Sequence, residues 1–262
     1  MLLHEGRSWD VAHVLGGRID PGCRVRYRLA ILDLEGTLVP DADEAVAHAL
    51  SELATSCGLT IPPAEARRLA GMNDGTIVRG CLEQALGRPA SPGVAAHFEA
   101  ELRRSLRDRA ANFSGLRAAA GASDLLSALG VMGVSVAIVS GLDRRTVATL
   151  LERMRWEALV HHRVSADDVE EGRPSPAMLH ELMGKAGVRD GAEVAMAGDS
   201  PHDLAAGFAA GCGLVACPIF TRHGAAIEAL EGVRMLANLS DLATAMGDAA
   251  GASTPMPPRR GR

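Results

Sequence analysis

The chain carries Asp33-Leu34-Glu35-Gly36-Thr37-Leu38 directly after the apolar run YRLAIL at 27–32. Side chains alternate along an extended chain, so Leu34 would point one way and both acids the other. Gly36 then lets the backbone turn sharply without a Cβ penalty. Taken alone, such a pattern also fits a capping acid at a strand–loop junction. Three further clusters change the reading. Ser140-Gly141 puts a small hydroxyl and a bare backbone N–H after another apolar run and before a helical stretch, which suits an anion. Gly198-Asp199-Ser200-Pro201-His202-Asp203 places two more carboxylates after a third run. A hard cation such as Mg²⁺ binds through one or two carboxylates together with substrate phosphate oxygens. Between them, Glu171-Gly172-Arg173-Pro174 offers a guanidinium whose planar fork matches phosphate. Each signal is weak by itself, but together they describe a site for a phosphoryl group and a divalent cation.

The elements that must hold these residues alternate. Short apolar runs at 27–32, 134–139, 160–164, 194–197 and 214–219, with a weaker one at 233–236, read as strands of a parallel sheet buried on both faces. Helical patterns at 122–129, 144–154, 176–186 and 203–210 separate them, so the expected fold is α/β, a Rossmann-like doubly wound parallel sheet. Ligands of such sheets bind at the carboxyl ends of the strands, which is where all four clusters fall. Residues 41–115 break the rhythm with amphipathic helical stretches at 43–57, 63–70, 76–86 and 92–109. They read as a helical insert placed over the strand ends, able to act as a lid. The expected division is an extension at 1–25, a core at 26–40 and 116–246, the insert at 41–115, and a disordered Pro/Gly/Arg tail at 247–262.

Composition narrows the functions. Of 262 residues, 47% are hydrophobic, enough for a packed core, and no apolar run reaches the roughly 20 residues of a membrane span. Glu5, Asp10 and Asp20 interrupt the first 30 residues, which do not read as a signal peptide, and a cytoplasmic location is expected. Net charge is −5 without a basic stripe, and aromatics are 3%, which argues against a nucleic-acid partner. The five cysteines (Cys23, Cys57, Cys81, Cys212 and Cys217) are scattered and read as reduced, inert thiols.

In order and wording these motifs resemble the haloacid dehalogenase superfamily across about residues 28–245. The pattern is D-x-D/E-G-T, then S/T-G, then Lys/Arg before Pro, then G-D-x-x-x-D. VSADDVEEGRPSPAML at 164–179 and VAMAGDSPHDLAAGFAAGCGLV at 194–215 are closest to its phosphonatase-like and phosphoglycolate-phosphatase-like branch, as is SGLDRRTVATLL at 140–151. The resemblance implies a Mg²⁺-dependent phosphatase acting on a small phosphorylated metabolite. In it Asp33 would attack phosphorus to form an aspartyl-phosphate, and Glu35 would serve as general acid/base. Ser140 and the N–H of Gly141 would hold phosphoryl oxygens, and Arg173 would neutralise charge on Asp33 and the phosphoryl group. Asp199, with Asp203 near it, would hold Mg²⁺, together with Asp33 and the backbone carbonyl of Glu35. The insert would be a cap whose loop Met72-Asn73-Asp74 touches substrate, with Thr76, Arg79 and His48 as further candidates. Some caps in this branch assist dimerisation, so a homodimer is one expected assembly.

Two departures bear on the substrate. Phosphonoacetaldehyde hydrolases need a cap lysine for a Schiff base; Asp74 stands about where it should be, and Lys185 is the chain's sole lysine. They also carry a small residue where Glu35 stands. An acid there suits a phosphate monoester, whose alkoxide must be protonated as it leaves. Carbon–phosphorus cleavage is therefore disfavoured, as is dehalogenation, which needs no metal site. A protein that binds a phosphorylated ligand without turnover is the alternative from another class.

Overall fold

The structure is a computed structural model, and the description covers residues 26–69, 71–112, 116–221, 223, 224, 227 and 230–248. The expected extension at 1–25, Cys23, and the tail from 249 onward lie outside these residues.

Six parallel strands form one sheet: β1 (Leu29–Asp33), β2 (Ser135–Val139), β3 (His162–Val164), β4 (Val194–Ala197), β5 (Leu214–Pro218) and β6 (Val233–Leu236). Their order is β3-β2-β1-β4-β5-β6, the doubly wound arrangement expected from the sequence. The continuous apolar runs have the anticipated cause. In β1, Ala30 and Leu32 enter one apolar cluster, Leu29 and Ile31 the other, and all four are fully buried. β1 lies at the centre, bonded to β2 on one side and β4 on the other. The chain reverses its winding direction between β1 and β4, and a crevice opens there beyond the strand ends.

Four helices lie between β1 and β2 before the core helices begin: α1 (Ala42–Ser56), α2 (Pro63–Arg68), α3 (Asp74–Leu86) and α4 (Pro92–Asn112). Next come α5 (Ala122–Val131), α6 (Arg144–Met154), α7 (Ala177–Ala186), α8 (Pro201–Ala209) and α9 (Asp241–Asp248). Helix α9 thus runs two residues into the stretch read as tail. Helix α4 packs on α1, on α3 and on the core helix α6. The cluster behind Leu32 and Leu38 continues into Leu50, Leu82, Phe98 and Leu102, so one apolar body joins the sheet to the helical segment.

Ion pairs fasten that segment to the loops beyond β2 and β3. Arg103 meets Asp167 at 3.1 Å, and Arg107 donates to Asp143 at 3.4 Å. Asp143 also caps α6, accepting the N–H groups of Arg145 and Thr146 at 3.1 and 3.3 Å. No helix among the described residues is long and apolar enough to cross a membrane.

Candidate active site

Asp33 is the last residue of β1, and its neighbours come from the loops after β1, β2, β3 and β4. After Asp33 the backbone leaves the sheet in a tight curl, in which Val39 N–H donates to the Leu34 carbonyl at 2.8 Å and Gly36 N–H to that of Val39 at 3.1 Å. Gly36 makes the curl possible. Its φ is +78°, and a Cβ there would collide with the Asp199 and Asp43 carboxylates.

After β4, a capping box starts α8. Ser200 Oγ accepts the Asp203 N–H at 3.2 Å, and Asp203 Oδ2 accepts the Ser200 N–H at 3.0 Å, with Pro201 at the first helical position. One helix start therefore fixes both Asp199 and Asp203 over the end of the strand.

Asp33, Glu35, Ser140, Arg173, Asp199 and Asp203 are all buried. Arg173 Nη1 donates to both Asp33 Oδ1 and Asp203 Oδ1, and its Nη2 lies 3.9 Å from Glu35. Oxygens of Asp33, Asp199 and Asp203 come within 4.8 Å of one another. Three acids, Asp33, Asp203 and Glu35, thus meet one guanidinium, with Asp199 beside them. Burial, then Asp203, Glu35 and Asp199, push the Asp33 pKa well up, with only Arg173 pulling it back. Burial and the neighbouring Asp43 and Asp203 do the same to Asp199. The acids in turn raise the Arg173 pKa further above its ordinary value, against the effect of its own burial.

This arrangement fits a hard cation. Asp33 Oδ2 is buried with no hydrogen-bond partner among the described residues, and the donor set is oxygen only. Asp199 keeps one oxygen on the Thr37 hydroxyl at 3.1 Å. Asp203 is the most committed of the three, with Oδ1 on Arg173 and Oδ2 on Ser200.

The candidate anion site at Ser140 and Gly141 is filled by an internal group. Ser140 Oγ donates to Glu35 Oε1, and Gly141 N–H donates to Glu35 Oε2 at 3.2 Å. A carboxylate thus takes the two donors that the resemblance gives to phosphoryl oxygens. Burial raises the Glu35 pKa, opposed by Arg173 and by these two hydrogen bonds.

From the helical segment, the loop 71–74 closes over the centre. Asp74 N–H donates to the Gly141 carbonyl at 3.0 Å, and a Cβ on Gly141 would strike the Met72 carbonyl oxygen. Asn73 lies against Gly172, beside Arg173. Asp74 is fully buried rather than solvated. A cavity of about 10 Å³ there is lined by Glu35, Asp43, Met72, Asp74 and Ile77 among others, with room for about one water. Arg79 and His48 are exposed; His48 pairs with Glu44 at 2.9 Å, and neither lines this cavity. Burial pushes the Cys212 and Cys217 thiols up to about 12 and Cys81 to about 11, far from the thiolate form. The sole lysine, Lys185, sits on α7 beside Glu181 at 3.5 Å.

Several contacts were not foreseen from the sequence. Thr37 holds Asp199, and the Thr221 hydroxyl donates to the Asp199 backbone carbonyl. Asp43, from α1, lines the cavity. Thr37 stood inside a quoted motif and could have been flagged; nothing in the sequence distinguished Asp43 from its acidic neighbours.

A family model of the haloacid dehalogenase-like hydrolases matches residues 27–211. A phosphoglycolate phosphatase of Pseudomonas savastanoi pv. phaseolicola is 31% identical over 201 residues, which is 75% of this chain and 71% of that protein. Among solved structures, a predicted phosphoglycolate phosphatase from Haemophilus somnus matches with a TM-score of 0.72 at 18% identity, over 84% of this chain and 98% of its own. A phosphonoacetaldehyde hydrolase-like protein from Oleispira antarctica gives a TM-score of 0.71 at 18% identity, over 89% and 96%. At such identities these two structures speak for the fold alone. The chain belongs to the haloacid dehalogenase-like hydrolases, in their phosphoglycolate-phosphatase-like branch, and is an enzyme of the phosphoric monoester hydrolase class.

Proposed function

We propose that this enzyme is a Mg²⁺-dependent phosphatase that hydrolyses a small phosphomonoester through an aspartyl-phosphate on Asp33. The observation that carries this reading is the buried Asp33 carboxylate. It ends the central strand with one oxygen on Arg173 and the other without a partner among the described residues, beside Asp199 and Asp203.

An Asp33 oxygen attacks phosphorus, the bond from phosphorus to the ester oxygen breaks, and protonated Glu35 gives its proton to the departing oxygen. A water then attacks the same phosphorus, Glu35 takes a proton from it, and the Asp33–phosphorus bond breaks to free phosphate and the aspartate. Burial favours the protonated form of Glu35 that the first step requires. Arg173 and the Ser140 and Gly141 donors balance the charge on the phosphoryl oxygens once the Glu35 carboxylate has swung off that pair. Asp33, Asp199 and the Glu35 backbone carbonyl would hold Mg²⁺, with Asp203 as the ligand that must first loosen from Arg173. When bound, the ion supplies further positive charge to the phosphoryl group.

A cavity near 10 Å³ cannot take a phosphomonoester, so residues 41–115 act as a cap that opens for substrate and closes for chemistry. The reading is tested by phosphate release from a panel of small phosphomonoesters, with Mg²⁺ and with EDTA. Release lost in EDTA supports it. Silence from folded, Mg²⁺-binding protein would favour ligand binding without turnover.

Two variants test the parts. Glu35→Gln should lower kcat/KM for alkyl phosphates by roughly 10²–10⁴-fold. It should lower it much less for p-nitrophenyl phosphate, whose leaving oxygen needs no proton; equal losses on both would remove Glu35 as the acid. Gly141→Ala should drive its new methyl into the Met72 carbonyl and hold the 71–74 loop off the core. A misplacement of this size reduces kcat/KM by up to about 10²-fold. Gly130→Ala, on α5 with open space around it, is the matched control and should leave turnover unchanged.

A further inference from the structure

The 71–74 segment brings a carboxylate, not a cation, to the cavity that Glu35 also lines. Asp74 is fully buried, and neither of its side-chain oxygens has a hydrogen-bond partner among the described residues. Its nearest cation, Arg103, approaches at 3.5 Å. That guanidinium is already shared with Glu99 at 2.8 Å and Asp167 at 3.1 Å. Asn73, the preceding residue, also has its buried side-chain oxygen unpartnered.

The cavity under this loop is lined by three acids, Glu35, Asp43 and Asp74, with apolar Val46, Met72 and Ile77, and no Arg, Lys or His is among its described lining residues. The other guanidinium near the centre, Arg173, is engaged with Asp33 and Asp203 on the phosphoryl side. Burial and the nearby Glu35, Asp143 and Glu99 all act against negative charge on Asp74, with only Arg103 opposing them.

A carboxylate on the leaving group would therefore enter beside three acids with no cation among the described lining residues to meet it. Taking a carboxylate out of water without a cation to pair it discriminates strongly against that ligand, whichever of the lining acids are ionised. A hydroxyl or ammonium on the leaving group would instead satisfy acceptors that have no partner, and leaving such acceptors unmet is what a wrong substrate costs.

Resting on the phosphatase reading, we propose that the preferred substrate is the phosphomonoester of an alcohol that carries hydrogen-bond donors and no carboxylate, and that Asp74 reads this difference. The preference would set this chain apart from relatives named for phosphoglycolate, whose leaving group bears a carboxylate.

The test is kcat/KM of the full chain with Mg²⁺ on glycerol 1-phosphate, phosphoethanolamine, 2-phosphoglycolate and p-nitrophenyl phosphate. At least one of the first two should exceed 2-phosphoglycolate by about 10-fold or more. The first two probes also separate hydroxyl from ammonium recognition. Asp74→Asn should bring that ratio down towards one, chiefly through KM for the donor-bearing substrate. The wild-type ratio needs no variant to fold, so the proposal stays testable if Asp74→Asn does not. Preference for 2-phosphoglycolate in the wild type, with p-nitrophenyl phosphate hydrolysed, would overturn the inference and leave the phosphatase standing. An unchanged ratio in folded Asp74→Asn would overturn the role of Asp74. No release from any of the four would overturn the phosphatase reading and this inference with it.

Discussion

Asp33→Asn should reduce phosphate release by roughly 10⁴-fold or more, the scale on which loss of a covalent nucleophile is felt. At the same time it should leave the Mg²⁺-free protein as stable as before, or more so. The amide has nearly the shape of the carboxylate and keeps an oxygen that Arg173 can reach. What it removes is one of three acids held against a single guanidinium, with Asp199 beside them. Burial and the three neighbouring acids outweigh Arg173 in raising the Asp33 pKa, so the charged form is the disfavoured one in the folded state. Neutralising it therefore favours folding. Each kcal/mol of relief reads as about 2–4 °C in Tm for a chain of this size. Thermal unfolding in EDTA, beside the release assay, checks both halves. A variant that is inactive and also markedly less stable would mean that Asp33 serves the fold first.

Arg173→Met should do the opposite to stability while also harming turnover. Arg173 is among the largest fully buried side chains, bonded to Asp33 and Asp203 and close to Glu35. Methionine fills much of the volume but leaves three buried acids without their cation. Breaking a buried ion pair from one side costs about 3–5 kcal/mol, or on the order of 10 °C in Tm. Loss of a charge aimed at the phosphoryl group costs a further 10²–10³-fold or so in kcat. Adding Asp33→Asn to Arg173→Met should recover part of the lost stability, because one of the uncompensated charges is gone. Strict additivity of the two changes would contradict the coupling drawn here.

The contrast between these variants shows which parts of the site could be read from the chain. Asp33 ends β1, Asp203 lies in the first turn of α8, and Glu35, Ser140, Gly141, Arg173 and Asp199 stand in loops after strands; β1, β2 and β4 announced themselves as short apolar runs. Those runs are continuous because the sheet is covered on both faces, as Leu29, Ala30, Ile31 and Leu32 illustrate. Ser200 and Asp203 carry a local signal as well, since a capping box needs only residues three apart.

Pairings across long stretches of chain left no such trace. Glu35 reaches Ser140 and Gly141, more than a hundred positions away, and no periodicity encodes that contact. Asp74 could be singled out by its place in a cap loop, yet its complete burial follows from the Gly141 contact and the packing of α4. Arg103 and Arg107 look like ordinary charges on an amphipathic helix. Only the docking of α4 beside α6 turns them towards Asp167 and Asp143. Asp43 lies in an acidic, alanine-rich stretch at the start of α1, where a helix-favouring acid in the first turn needs no further reason.

The most direct test of the account is a rapid-quench experiment on wild-type enzyme with Mg²⁺ and a hydrolysed phosphomonoester. Acid quenching within the first turnover, followed by proteolysis and peptide mass analysis, locates any covalent phosphoryl group. The account predicts one phosphoryl group on the peptide containing Asp33, present during turnover, gone when substrate is exhausted, and absent in Asp33→Asn. Full turnover by Asp33→Asn, or a phosphoryl group carried on another residue, would contradict it.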